Sequence, residues 1–327
     1  MKITELTRSG RKDIVFCVAR TADGALCAGT SEGKVLGVDP GGARADAVFS
    51  GAPHTSYVTG LARARHRLIS GSYDRHLIWW DGSRSTQLFR KPAHEKWIRK
   101  VCASPDGTTV ASVADDMVAR IWDAETGALR AELKGHAPET PHHYASMLFT
   151  CAFDPSGDLL ATADKVGRII VWNVAKGEVV QTMDSPGMYT WDPTQRRHSI
   201  GGIRSLAFSP DGKTLVAGGI GTIGNIDHLA GNARIEVFEW RSGQSVAVVE
   251  TGQVKGLVNQ LAFAAGGGWL LGAGGDNKGL HLLVNCATWK LEFEETCAFH
   301  VHDFLLDPGG SQYTAVGHQG ICLNGIS

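Results

Sequence analysis

The sequence predicts an all-β chain, a single domain over residues 1–327 folded as a seven-bladed β-propeller of four-stranded antiparallel blades. Three observations predict it. LISGSYDRHLIWWD (68–81), VASVADDMVARIWD (110–123) and LLATADKVGRIIVWN (159–173) are versions of one segment. They recur roughly every 45 residues, a period that marks a solenoid, propeller or array. Each copy breaks into short alternating runs separated by Pro/Gly or Asp turns, with little helical periodicity. The last copy stops one run short, and the segment KITEL (2–6) has no other place in the count.

The copy 98–133 shows the unit. IRKVCAS alternates and stops at SPDG, a turn that uses Pro for its preset φ and Gly for a positive one. TVASVA ends at Asp115–Asp116, VARIWD ends at AETG, and ALRAEL closes the copy. Four strands in this order form an antiparallel meander, unstable alone and buried on both faces when repeated around an axis. The copies place blades at about 13–50, 51–90, 91–135, 136–184, 201–250, 254–295 and 297–327. KITEL is expected to complete the last blade, joining both termini and removing two free sheet edges.

Composition narrows the function. The formal net charge is −1 and no basic stripe appears, so no nucleic-acid partner is expected. No run of about 18 apolar residues and no signal-peptide core is present, so no membrane span is expected. Cys17, Cys27, Cys102, Cys151, Cys286, Cys297 and Cys322 contain no CxxC pair, and most lie in apolar runs. They read as core residues in a reducing compartment, which points to the cytoplasm.

These residues resemble the WD40-repeat family, whose pattern is Gly-His, a Ser/Thr in the second strand, an Asp in the next turn and a Trp ending the third strand. His54, Ser70, Asp74 and Trp80 fit it, as do His94, Ser112, Asp116 and Trp122. The resemblance implies that each set is a structural hydrogen-bond relay. Recurrence from copy to copy argues against reading it as a catalytic triad. The fourth copy keeps Gly135-His136, Thr162 and Trp172 but has Val166 at the Asp position. The first has Ala28, Glu32 and Val38, the fifth Ala217 and Phe238, the sixth Ala273, Asn277 and Leu283, so these copies lack the relay.

Function is sought where the copies differ. Three excursions, 136–147, 184–202 and 218–232, fall where this family's loops open on one face, whereas the opposite turns (SPDG, DPSG, AETG, VAKG, WRSG) stay short. The excursions carry Tyr144, Tyr189, Trp191, Arg196 and Arg197, residue types that anchor protein interfaces. The resemblance also implies that Phe16, Thr59, Arg99, Phe149, Arg204, Asn259 and His302 ring the channel mouth, with Tyr57, Trp97 and His300 two residues upstream.

Two functional readings follow. The favoured one is a non-catalytic scaffold binding a protein or peptide, alone or as one subunit of a larger complex. Its face is Tyr57, Trp97, Arg99, Tyr144, Phe149, Trp191, Arg204 and His302, with no cofactor and no assigned metal site. The alternative is a small-ligand or metal-dependent enzymatic propeller using His142, His143, His198, His228, Asp192 and Asp227, or the alternating pair His300 and His302. No HxH or HExxH spacing fixes the loop ligands, and the His300/His302 pair would need a further ligand from a neighbouring blade. GGIGTIGNI (218–226) lacks the GK[ST] and the helix of a phosphate loop and reads as a long hairpin loop. Glu292, Glu294 and Glu295 read as a solvated edge.

Overall fold

A computed structural model describes the chain except residues 195, 196, 225, 227 and 228. Arg196, Asp227 and His228, named above as candidates, therefore lie outside the described residues. Strands make up nearly all regular structure, and the described residues contain one 3-10 turn, Pro186–Met188. No helix among them is long and apolar enough to cross a membrane.

The sheet Ile98–Ala103, Thr109–Ala114, Val118–Asp123 and Leu129–Lys134 is a consecutive antiparallel meander. Its second strand is buried at all six positions, while its fourth, LRAELK, is mostly exposed. That gradient explains the composition: small and β-branched residues fill the inner strands, and charges gather at the rim. Gly107, at φ +68°, closes the SPDG turn, and the Asp106 carboxylate accepts the Thr108 N–H at 3.0 Å. One face contributes Ile98, Val101, Val110 and Trp122 to a core shared with Ile69, Leu77 and Trp79. The other packs Ala111, Val113 and Ile121 against Leu148, Leu160 and Trp172 of the next sheet. Each sheet is stable because both faces are covered by neighbours.

The same four-stranded meander recurs over 58–92, 148–184, 205–255 and 257–297. The molecule is an all-β propeller, with six blades rather than the seven expected. The expected first and last blades share one six-stranded sheet, ordered Val301–Leu306, Gln312–Ile326, Ile3–Arg20, Leu26–Thr30, Val35–Val38, Ala47–Val48. The physical reason is the unbroken strand Ile3–Arg20. Its first part pairs Ile3 with Ile326 through Gly10 with Gly320, and its second pairs Val15 with Thr30 through Arg20 with Leu26. A register break between Gly10 and Ile14 separates the two parts without ending the strand. The terminal pairing thus runs past the segment 2–6, and Lys2 and Ser327 exchange backbone hydrogen bonds of 2.7 and 3.1 Å. The strands Ile3–Arg20, Val58–Ala64, Ile98–Ala103, Leu148–Phe153, Ser205–Phe208, Leu257–Phe263 and Val301–Leu306 touch in succession, and the last touches the first. This closed ring surrounds the axis.

In the second copy His54 Nδ1 lies 2.9 Å from Asp74 and Nε2 2.8 Å from Ser70, which accepts the Trp80 indole N–H at 2.9 Å. His94, Asp116, Ser112 and Trp122 repeat this with distances of 2.7–3.1 Å. The fourth copy corrects the reading of Val166. Asp164, two residues earlier, receives His136 Nδ1 at 2.8 Å, while Thr162 lies 2.8 Å from both His136 Nε2 and Trp172 Nε1. The relay is complete, with its carboxylate moved from the turn into the strand Leu159–Asp164. In the fifth copy, where Ala217 removes the hydroxyl, the Ser185 hydroxyl bonds the buried Glu236 carboxylate instead.

Candidate functional site

Strand geometry builds the site. The first strand of each copy lines the axis, so the residue at its start projects into the channel mouth. Phe16, Thr59, Arg99, Phe149, Arg204, Asn259 and His302 all line one cavity of about 280 Å³ there, with Tyr73, Lys100, Leu257 and His300. The backbone N–H groups of Tyr73, Asp115 and Lys165 donate to Tyr57, Trp97 and Met147 carbonyls at 2.9–3.0 Å. Those bonds hold the second-strand turn beside the residue two before the mouth position.

Aromatic rings continue around the rim. Phe16 packs against His302 and Tyr57 with centroids 4.8 and 5.2 Å apart, and Tyr57 lies 5.5 Å from Tyr73. Tyr73 stacks on Trp97 at 4.6 Å with planes 6° apart. Trp97 is 51% exposed and Tyr57 43%, so this stack presents apolar area to solvent. Arg99 makes a bidentate pair with Asp115 at 2.7 and 2.8 Å and donates to the Tyr73 hydroxyl. Its guanidinium also lies 5.5 Å from the Trp97 ring and 5.6 Å from that of Phe149. Burial opposes the charge on Arg99, yet the Asp115 hydrogen bonds hold its pKa above the ordinary value. Arg204 sits 3.6 Å over the Phe149 ring, and its pKa falls to about 10 through burial and then the charge of Arg99.

On the far side of the mouth His300 donates from Nδ1 to the Asp276 carbonyl at 2.8 Å, and its Nε2 accepts from the Asn259 amide at 2.7 Å. Burial first, then neighbouring charge, holds His300 below its ordinary pKa, and His302 is pushed down to about 3. Both rings are therefore neutral near pH 7.

The three excursions meet one another. The His142 ring stacks on Trp191 at 4.2 Å, and its Nδ1 lies 3.0 Å from the Tyr189 hydroxyl. Tyr144 lies 5.4 Å from Trp191 and 6.0 Å from His198. Tyr189–Asp192 and His198–Gly201 form a two-stranded ribbon whose Thr190 hydroxyl accepts the Ile223 N–H at 3.0 Å. Ile223 and Ile220 then pack with Leu257, which lines the mouth. A groove of about 430 Å³ between Trp97 and residues 145–147 joins the mouth to the first excursion.

The eight residues named from sequence thus fall in two clusters. Tyr57, Trp97, Arg99, Phe149, Arg204 and His302 stand at the mouth; Tyr144 and Trp191 stand on the excursions. Sequence reasoning missed Tyr73, Asp115 and Lys165, which occupy one equivalent turn position immediately after the second strand. Aligning that turn as well as the first strand would have exposed them. Two of the candidate metal ligands are otherwise engaged, His142 with Tyr189 and Trp191 and His300 through both nitrogens, whereas the buried Nε2 of His302 has no partner among the described residues. Among the described residues no group of three or more His, Cys, Asp or Glu is placed to hold a metal ion.

Comparison with known proteins places this architecture. A family model described as "WD domain, G-beta repeat" matches residues 47–81, 85–123 and 192–222. Nuclear distribution protein PAC1 of Arthroderma benhamiae is 30% identical over 172 residues, which are 48% of this chain and 34% of that protein. Apoptotic protease-activating factor 1 of Rattus norvegicus is 30% identical over 211 residues, 64% of this chain and 16% of that one. Eukaryotic translation initiation factor 3 subunit I of Candida albicans is 31% identical over 140 residues, 41% of this chain and 34% of that one. The chain spans about a third, or less, of the length of these relatives.

Proposed function

We propose that this chain, which carries WD40 repeats, is a non-catalytic scaffold that binds a protein or peptide partner through the face around the channel mouth. The observation that carries the reading is the half-exposed Trp97 ring, stacked on Tyr73 and backed by Arg99. A rigid aromatic held this way offers large contact area with little left to order on binding, which is how interface anchors work. The excursions bearing Tyr144 and Trp191 extend the surface to one side, reached along the groove beside Met147. Several relatives carry names of larger assemblies, such as a translation initiation factor subunit; this supports a partner-bound role, alone or within a complex. All seven cysteines are free thiols, in keeping with a cytoplasmic setting.

Affinity capture with mass spectrometry identifies the partner, and titration of that partner tests the face. Trp97→Ala is expected to weaken binding by about 30-fold or more, the loss typical of a central anchor. Because the ring is half exposed, the thermal midpoint should stay within about 2 °C of the parent. Unchanged affinity in both Trp97→Ala and Trp191→Ala would place the partner elsewhere.

A further inference from the structure

Arg99 and Arg204 line the channel mouth, and Lys165 stands in the turn beside them, at the position Tyr73 and Asp115 hold in their own copies. Arg99 is neutralised by its bidentate pair with Asp115. Among the described residues Arg204 has one hydrogen bond, to the Gly201 carbonyl at 3.2 Å, and its buried Nε has no partner there. Lys165 is only 6% exposed, and its ammonium has no acceptor among the described residues. The Lys165 backbone lies beside the Arg204 site: Gly202 abuts both that backbone and the Phe149 ring, on which Arg204 rests. Burial and then the Arg204 charge push the Lys165 pKa down. The other charged groups at the mouth do not help. Lys100 is paired with Asp303 at 3.7 Å, deeper in the channel, and His300 and His302 favour the neutral form.

Like charges held together out of water repel, and unpaired buried donors lose hydration that nothing replaces. An oxyanion between Lys165 and Arg204 would supply both the counter-charge and the acceptors. Guanidinium suits this role because its fork matches carboxylate and phosphoryl oxygens.

We propose that the mouth takes an oxyanion-bearing side chain of the partner segment, an Asp/Glu carboxylate or a phosphoryl group, held by Lys165 and Arg204. This rests on the mouth being the partner-binding face.

Thermal unfolding of the full chain tests the proposal, using sodium phosphate or sodium acetate at millimolar concentration with chloride holding ionic strength constant. Phosphate stands for a phosphorylated side chain and acetate for Asp or Glu. At ten times its dissociation constant, the bound anion is expected to raise the midpoint by about 2 °C. Lys165→Met should raise the midpoint without added anion, because repulsion is relieved, and should lose the anion response. Lys165→Arg should keep it. The larger response, to phosphate or to acetate, identifies the side-chain chemistry. General salting effects of phosphate appear equally in Lys165→Met and cancel in the difference. No response above chloride, or a full response in Lys165→Met, would overturn the inference. If that happens while Trp97→Ala still abolishes partner capture, the anion pocket fails and the binding face stands.

Discussion

Asp164→Ala is expected to destabilise the chain by about 3–5 kcal/mol, and Val166→Ala by less than about 1 kcal/mol, in equilibrium urea unfolding followed by tryptophan fluorescence. Asp164 is 1% exposed and serves three donors: His136 Nδ1–H at 2.8 Å and the N–H groups of Val166 and Arg168 at 3.0 Å each. Behind His136 the chain continues, for Thr162 donates toward Nε2 while accepting the Trp172 indole N–H at 2.8 Å. One proton order satisfies every member: carboxylate, neutral imidazole, hydroxyl, indole. Removing the carboxylate strands His136 in a site 8% exposed and leaves two turn N–H groups without an acceptor. Such a loss is a large share of the 5–15 kcal/mol that typically holds a domain together. Val166, by contrast, contributes only its backbone to this network. Equal costs for the two substitutions would mean that the relay is dispensable here.

This pair also marks how far the sequence could be read. His54, Ser70, Asp74 and Trp80 announced their contacts because each stands at the spacing shared with His94, Ser112, Asp116 and Trp122. Asp164 was invisible to that alignment, since a carboxylate can reach the same imidazole from a strand end two residues earlier. The mouth positions were legible through the family resemblance, which implied that the top of each first strand faces the axis; aligning the copies then carried that position around the ring. Arg99, Phe149 and Arg204 therefore lie where spacing put them. Their neighbours Tyr73, Asp115 and Lys165 share a turn, where residue type varies from phenol to carboxylate to ammonium and no pattern recurs. Blade count failed on continuity. Gly10 to Ile14 reads as a break between two strands, but the chain shifts register and keeps pairing, so two expected blades share one sheet. Packing between excursions, such as His142 on Trp191, had no periodic signal at all.

Acid should weaken the fold well before its carboxylates titrate. His281, in Gly279–Asn285, is 5% exposed; its Nδ1 lies 2.7 Å from the Tyr313 hydroxyl and its Nε2 is buried without a partner. Burial alone pushes its pKa from 6.5 to about 4. Between those values the unfolded chain binds a proton that the folded chain refuses. The stability from a neutral His281 is thus fully present above pH 6.5 and is lost as pH falls toward 4. A shift of this size corresponds to about 3 kcal/mol, of which about 2 kcal/mol is gone by pH 5. His302, pushed down to about 3, and His94 and His300, also lowered, act in the same direction. Asp74, which His54 and nearby N–H groups hold at about 2 against the opposing effect of burial, adds a loss only below about pH 4. Urea unfolding at pH 7.5, 6.5, 5.5 and 5.0 follows the histidine contributions above the range in which Asp74 acts. His281→Asn keeps an acceptor near the Tyr313 hydroxyl but cannot titrate, so its stability should fall by about 2 kcal/mol less than the parent's between pH 7.5 and 5.0. Parallel pH profiles for the two proteins would show that His281 binds its proton while folded, and the buried Nε2 would then need a partner that opens to it at low pH.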